Sequence, residues 1–173
     1  MDYEKYIAVV NGFPKAGISF KDISPLLRDP KAFQQCIDDF AKLAAPYHPT
    51  VVLGPESRGF IFGAALAYKM GIGFVMARKA GKLPGITAKV SYTLEYGTAS
   101  LEVPANAFQA GDRVLLIDDL IATGGSLRAL EDLTKKLGAD PVAALVVIYL
   151  KELQGEKALD IPLHSLVSLS AVK

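Results

Sequence analysis

At 173 residues and 51% hydrophobic, the chain is long enough to bury the core of one domain and too short for two full ones. A net charge of +1, with no dense block of lysine or arginine, excludes nucleic-acid binding driven by overall charge. Cys36 is the only cysteine, which excludes an intrachain disulfide and a cysteine-rich zinc site. The segment Met1-Asp-Tyr-Glu-Lys5 begins charged and has no long apolar stretch behind it, so neither a signal peptide nor a membrane helix is expected and the expected location is the cytoplasm.

In chain order, residues 1–28 carry Gly12, Pro14, Gly17 and Pro25 and read as an irregular cap or hood. Asp29-Pro30, followed by Phe33, Cys36, Ile37, Phe40, Ala41 and Ala44, predicts an N-capped amphipathic helix that ends near Pro46. Val51 to Leu53 is a short strand, Gly54 to Arg58 a loop, Gly59 to Met70 a largely buried helix and Ile72 to Met76 a second strand. That succession is one βαβ unit. The polar, glycine-punctuated stretch 80–103 alternates at Val90, Tyr92 and Leu94, and it predicts a two-stranded flexible flap outside the core. Val114 to Ile117, a helix from about Gly125 to Leu137, and Val142 to Leu150 form a second βαβ unit, and Ile161 to Leu169 is a candidate edge strand. The expected fold is α/β: one domain over residues 1–173, with a central, mostly parallel sheet, helices on both faces, a small hood and a β-hairpin lid. His48 and His164 have no serine or acid at catalytic spacing and read as structural.

The chemistry concentrates in Val114-Leu-Leu-Ile-Asp-Asp-Leu-Ile-Ala-Thr-Gly-Gly-Ser126. An unalternated apolar strand suits the centre of a sheet covered on both faces, and a ligand then sits at its carboxyl end. From Ala122 through Thr123, Gly124 and Gly125 to Ser126 the side chains are small, so backbone N–H groups can turn toward one anion at the start of the following helix. Asp118 and Asp119 would repel a bare polyphosphate and suit ribose hydroxyls or a hydrated magnesium ion. No lysine follows the glycines and no GxGxxG is present, which excludes the common triphosphate and dinucleotide loops.

Two further loops fall on the same sheet edge. In Glu56-Ser57-Arg58, the arginine sits at a helix start, where the helix dipole disfavours a cation, and its fork can hold two oxygens of an anion. Arg78, Lys79 and Lys82 crowd together with no acid beside them in sequence, an arrangement that a polyanion relieves.

The strand, paired acids and short loop resemble the phosphoribosyl pyrophosphate motif of type I phosphoribosyltransferases. With Pro14 to Leu27, Glu56 to Phe60, Arg78 to Lys82, Leu83 to Gly85 and Tyr92 to Gly97, the chain resembles the adenine phosphoribosyltransferase family over most of its length. That resemblance implies transfer of a 5-phosphoribosyl group from phosphoribosyl pyrophosphate to N9 of adenine, a magnesium requirement met largely through substrate and water near Asp118, and a homodimer. It further implies that Glu95 on the lid is the acid–base group and acts with Asp118 and Asp119. Residues 122–126 would hold the 5′-phosphate, while Glu56, Ser57, Arg58, Lys79 and Lys82 would hold pyrophosphate. Arg78 would serve that site or reach across a dimer interface. Ile18, Phe20 and Lys21 fall on the base pocket; Lys21 stands where the family often has arginine, so its contact is open. A non-proline cis peptide at Glu56-Ser57 is expected by resemblance alone. Partners are then the two small-molecule substrates, with no nucleic acid and no membrane. The main rivals are transfer to hypoxanthine or xanthine, and a regulatory module that binds phosphoribosyl pyrophosphate without turnover.

Overall fold

The computed structural model describes residues 1–94 and 97–171. The strands are β1 (Ala8–Asn11), β2 (Ser19–Asp22), β3 (Val51–Pro55), β4 (Gly73–Lys79), β5 (Thr87–Leu94), β6 (Gly97–Pro104), β7 (Arg113–Ile121), β8 (Asp140–Leu150) and β9 (Leu163–Leu169), and the helices α1 (Ser24–Arg28), α2 (Pro30–Ala44), α3 (Arg58–Met70) and α4 (Gly125–Lys136). Seven strands form one sheet in the order β5-β6-β4-β3-β7-β8-β9. From β4 through β9 the pairings are parallel, and only the β5–β6 hairpin joins antiparallel. This is the mixed α/β architecture expected, with both βαβ units present and β9 on the edge.

The apolar run in β7 is unbroken because each of its faces meets a different core. Leu115 and Ile117 pack with Val52, Phe40, Phe62 and Leu66 under α2 and α3, whereas Val114 and Leu116 pack with Leu53, Leu127, Leu130 and Leu133 under α4. Successive strand side chains point to opposite faces, so a doubly covered strand has no position left for a polar residue. On α2, the Asp29 side chain accepts hydrogen bonds from the N–H groups of Lys31 and Ala32, both at 2.9 Å, as the cap signal predicts. Cys36 is buried in this layer and burial pushes its thiol up, away from the reactive thiolate form. Phe40 is fully buried with its ring edge-on to Phe62 at 6.1 Å. Phe40→Ala should therefore cost about 3–5 kcal/mol, read as a lowered urea midpoint at unchanged m-value.

Three expectations change. The hood is not irregular throughout: β1 and β2 pair antiparallel from Ala8↔Asp22 to Asn11↔Ser19. The stretch 80–103 is not outside the core, because Ala88, Leu101 and Val103 are buried among the leucines of α4; β6 also pairs with β4 at Arg78↔Glu102 and Lys79↔Leu101. The base of the hairpin thus extends the sheet and only its far end can serve as a lid. Finally, β7 runs on to Ile121, which places Asp118 and Asp119 within the strand.

Candidate active site

Parallel pairing of β3 with β7, Val51↔Val114 through Leu53↔Leu116, brings the carboxyl ends of both strands side by side. Each end turns into a loop and then a helix, so the N-termini of α3 and α4 converge on one place. Two cavities open there. One, of about 270 Å³, is lined by Arg58, Tyr92, Asp118, Asp119, Leu120 and residues 122–126. The other, of about 210 Å³, lies against Glu56, Ser57, Arg58, Lys79, Tyr92, Asp118, Asp119 and Ser126. Arg58, Tyr92, the two aspartates and Ser126 belong to both, so they are adjoining lobes of one cleft.

Gly124 opens α4 with φ +86°, a left-handed conformation that favours glycine. With Gly125 and Ser126 behind it, this turn leaves the first N–H groups of α4 free of helical partners and at the positive end of the dipole. Such a cup of N–H groups has the geometry and polarity that suit an anion.

Between the lobes stand the two acids. Asp118 Oδ1 accepts from the Asp119 backbone N–H at 2.8 Å. Burial, and then the charge of Asp119, push Asp118 well above the ordinary carboxylate range. Asp119 is 3% exposed and is also raised by burial, with Arg58 pulling it back down. Arg58 Nε lies 3.0 Å from Asp119 Oδ2, yet that oxygen has no hydrogen-bond partner of acceptable geometry. The contact is a Coulombic one, and it leaves a buried carboxylate oxygen without a hydrogen bond.

In the second lobe, Glu56 and Ser57 are joined by a cis peptide, at the bond singled out from the sequence. The basic turn differs from its expected picture. Arg78 Nε donates to Glu56 Oε2 at 2.7 Å, which holds the Glu56 carboxyl below its usual range, and the buried Glu102 accepts from the Gly81 N–H at 3.2 Å. The basic turn therefore does have acids against it, Glu56 on the Arg78 side chain and Glu102 on the Gly81 backbone, supplied from 22 and 21 residues away. Lys79 lines the cleft; Arg78 and Lys82 do not line it, and Lys82 is exposed.

On the hood, Phe20 lies with its ring 5.3 Å from the Arg58 guanidinium carbon, and Phe13 meets it edge-on at 5.2 Å. Phe20 thus borders the arginine that lines both lobes, and the exposed Ile18 sits two residues before it. Lys21 turns the other way. It is buried, donates to Ser19 Oγ at 3.0 Å and lines a separate cavity with Glu4, Ile7, Val9, Leu169 and Ser170, because neighbouring residues of a strand face opposite sides. Glu95 lies outside the described residues. Tyr92 is the site residue that its sequence pattern hid: the β5 alternation marked it as an ordinary lid position, while in the fold it faces both lobes and its phenol is raised by burial and by the charge of Asp118. His164 Nε2 is 2.6 Å from the Tyr47 hydroxyl, away from the cleft. Among the described residues no group of three or more histidine, cysteine, aspartate or glutamate side chains is placed to hold a metal, and no helix is long and apolar enough to cross a membrane.

Two adjoining lobes, one ringed by helix N-terminal N–H groups and one lined by Arg58 and Lys79, with carboxylates between them, suit a ligand with phosphates at both ends and hydroxyls between. The model of the phosphoribosyl transferase domain matches residues 25–169. The chain is 49% identical over 169 residues to the adenine phosphoribosyltransferase of Symbiobacterium thermophilum, covering 98% of each. Its fold superposes with a TM-score of 0.94 on the crystal structure of adenine phosphoribosyltransferase from Thermoanaerobacter pseudethanolicus, at 43% identity and covering 97% of this chain and 98% of that one. The yeast adenine phosphoribosyltransferase, in complex with an iminoaltritol 1,6-bisphosphate and adenine, gives 0.92 at 39% identity, covering 96% of this chain and 97% of that one. With a family model spanning most of its length and relatives near half identical from end to end, the chain belongs to the adenine phosphoribosyltransferase family.

Proposed function

We propose that the protein transfers the 5-phosphoribosyl group of phosphoribosyl pyrophosphate to N9 of adenine, giving AMP and pyrophosphate. The observation that carries this reading is the pair of anion lobes sharing Arg58, Asp118 and Asp119. Ala122, Thr123, Gly124, Gly125 and Ser126 hold the 5′-phosphate through backbone N–H groups and two hydroxyls. Asp118 and Asp119 accept from the ribose 2′- and 3′-hydroxyls and face the positive charge that grows on the ribose ring as the leaving group departs. Arg58 and Lys79 neutralise pyrophosphate against the loop of Glu56 and Ser57, Lys82 adds its charge from the exposed turn beyond the lining, and Arg78 acts by cancelling the charge of Glu56. No protein nucleophile is required: the site works by positioning and by fixed charge.

Magnesium is part of this reading. Two buried carboxylates, one with an oxygen that lacks a hydrogen-bond partner, fit a hydrated Mg²⁺ that is otherwise held by substrate phosphates, with Asp118 and Asp119 on its water shell. Bound there, the ion would supply further neutralisation of the leaving group. Adenine is read as lying on the Phe20 ring beside Ile18, with hood backbone groups distinguishing it from other purines. Glu95 then closes over the base and manages the proton adenine loses. A cytoplasmic homodimer is the form this reading takes over from the family resemblance.

The test is a magnesium-dependent assay with phosphoribosyl pyrophosphate and adenine, hypoxanthine, guanine or xanthine in parallel, following nucleotide and pyrophosphate together. AMP alone is expected. Another nucleotide would overturn the base pocket, and binding without product would overturn the transferase. In the same assay Glu95→Ala should lower kcat about 10²-fold with the KM for phosphoribosyl pyrophosphate changed less than threefold. Equal, mild losses in both would remove Glu95 from its role.

A further inference from the structure

The turn after β8 reaches the phosphate cup from behind. Residues 151–153 and 155–158 form two short 3₁₀ turns, and Gly155, which opens the second, meets the cup backbone directly. A Cβ built on Gly155 would stand 2.3 Å from the Ala122 carbonyl oxygen, 2.9 Å from Ile121 Cγ1 and 3.0 Å from the Gly124 nitrogen. The contact is reciprocal, since a Cβ on Gly124 would stand 2.4 Å from the Gly155 carbonyl oxygen and 2.9 Å from Ala158 Cβ. Gly124 has a second reason to be glycine in its φ of +86°, but Gly155 is outside the left-handed region. Close approach alone explains it.

The turn cannot simply retreat from a larger residue, because it is fastened on both sides of Gly155. Ahead of it, Glu152 accepts from Ser170 Oγ and from the Ala171 N–H, both at 2.8 Å, and just after it the Tyr149 hydroxyl donates to Glu156 Oε2 at 2.5 Å. Behind it, Arg128 Nη1 donates to the Ala158 carbonyl at 3.2 Å and the Asp160 N–H donates to Glu131 Oε2 at 3.1 Å. Glu131 is fully buried on α4 and is held in turn by Lys135 Nζ at 2.6 Å. Arg128, Glu131 and Lys135 all stand on the helix whose N-terminus forms the cup. Cup, helix and turn thus make a closed frame, with backbone pressed on backbone at Gly155.

We propose that Gly155 is a positioning residue for the phosphate cup: its backbone sets where the Ala122 carbonyl and the Gly124 N–H stand, and so aims the N–H groups that take the 5′-phosphate. The proposal rests on the reading of residues 122–126 as that phosphate's site. A methyl group at 155 must push the cup by about 1 Å, a displacement large enough to misdirect several hydrogen bonds together. The pyrophosphate lobe, built mainly around the start of α3 and on β4, meets residues 122–126 only at Ser126.

Titration of the full-length protein with ribose 5-phosphate, and separately with magnesium pyrophosphate, reads this directly. For Gly155→Ala, ribose 5-phosphate affinity should fall at least tenfold while pyrophosphate affinity stays within twofold. Unchanged ribose 5-phosphate binding, or equal losses for both ligands, would overturn the proposal. Tyr149→Phe, which slackens the turn without adding bulk, should weaken ribose 5-phosphate alone by about threefold; wild-type binding by that variant would count against the frame even if Gly155→Ala does not fold. If the unaltered protein takes pyrophosphate but no ribose 5-phosphate, the reading of the cup itself is wrong, a result distinct from failure of the Gly155 contact.

Discussion

Asp118→Asn should give a protein that is more stable at neutral pH and nearly inactive. Burial and the neighbouring Asp119 push the Asp118 carboxyl well above its ordinary value, so the folded chain holds this proton more tightly than the unfolded one does. The corresponding stability is complete below the unfolded value near 3.8 and is lost as the pH rises through the folded value. The loss therefore grows from weakly acid pH upward, and it belongs to the interacting pair of carboxylates rather than to one of them. Asparagine removes the ionisation and keeps an oxygen to accept the Asp119 N–H. A gain of about 3 °C in Tm is expected at pH 7.5 for a chain of this size, shrinking toward nothing at pH 4. Turnover should fall by about 10²–10³-fold, because a neutral amide neither faces the ribose cation nor pairs with hydrated magnesium. Thermal unfolding across pH 4–8 beside initial rates would check both halves; a lower Tm at pH 7.5, or less than a tenfold loss of rate, would refute the account. The carboxylate pair is strain retained for chemistry.

Arg58→Ala should remove function and stability together. The side chain faces both lobes, stands 3.0 Å from Asp119 Oδ2 and lies over Phe20, so one truncation takes a cation from the pyrophosphate lobe and orphans a carboxylate that is 3% exposed. We expect kcat/KM for phosphoribosyl pyrophosphate to fall about 10³-fold and unfolding free energy to drop by about 1–3 kcal/mol. Arg58→Lys keeps the charge without the planar fork or the ring contact and should recover less than a tenth of the activity. Adding Asp119→Asn to Arg58→Ala should restore most of the stability and none of the activity. Urea midpoints for the four proteins would separate the two roles, and rescue of activity by lysine would show that charge alone matters.

Elements whose signal is local were readable in advance. The α2 helix follows from Asp29, Pro30 and apolar spacing; the central position of β7 follows from an unalternated run with two faces to fill; the tight turn at Gly124 follows from small residues between a strand end and a helix start. Each depends on neighbours within a turn or two of chain. The partners of the basic turn were not readable, because Glu56 and Glu102 reach Arg78 and Gly81 only after β3, β4 and β6 are laid side by side. The buried base of the hairpin was hidden for a related reason: alternation marks two faces of a strand but does not say whether a helix will cover one. Lys21 shows the same limit, since which side of β2 meets the cleft is set by the packing of the hood.

The sequence by itself determined that this is an α/β protein with a loop of small residues between paired carboxylates and a helix start, because backbone geometry and side-chain bulk act over a few residues. Only the tertiary structure decided that Arg58 and Tyr92 serve both lobes, that Arg78 is occupied by Glu56, and that Gly155 presses on the cup from about thirty residues downstream. Those facts depend on strand register and on the approach of backbones to within van der Waals contact, and a linear pattern carries neither distance.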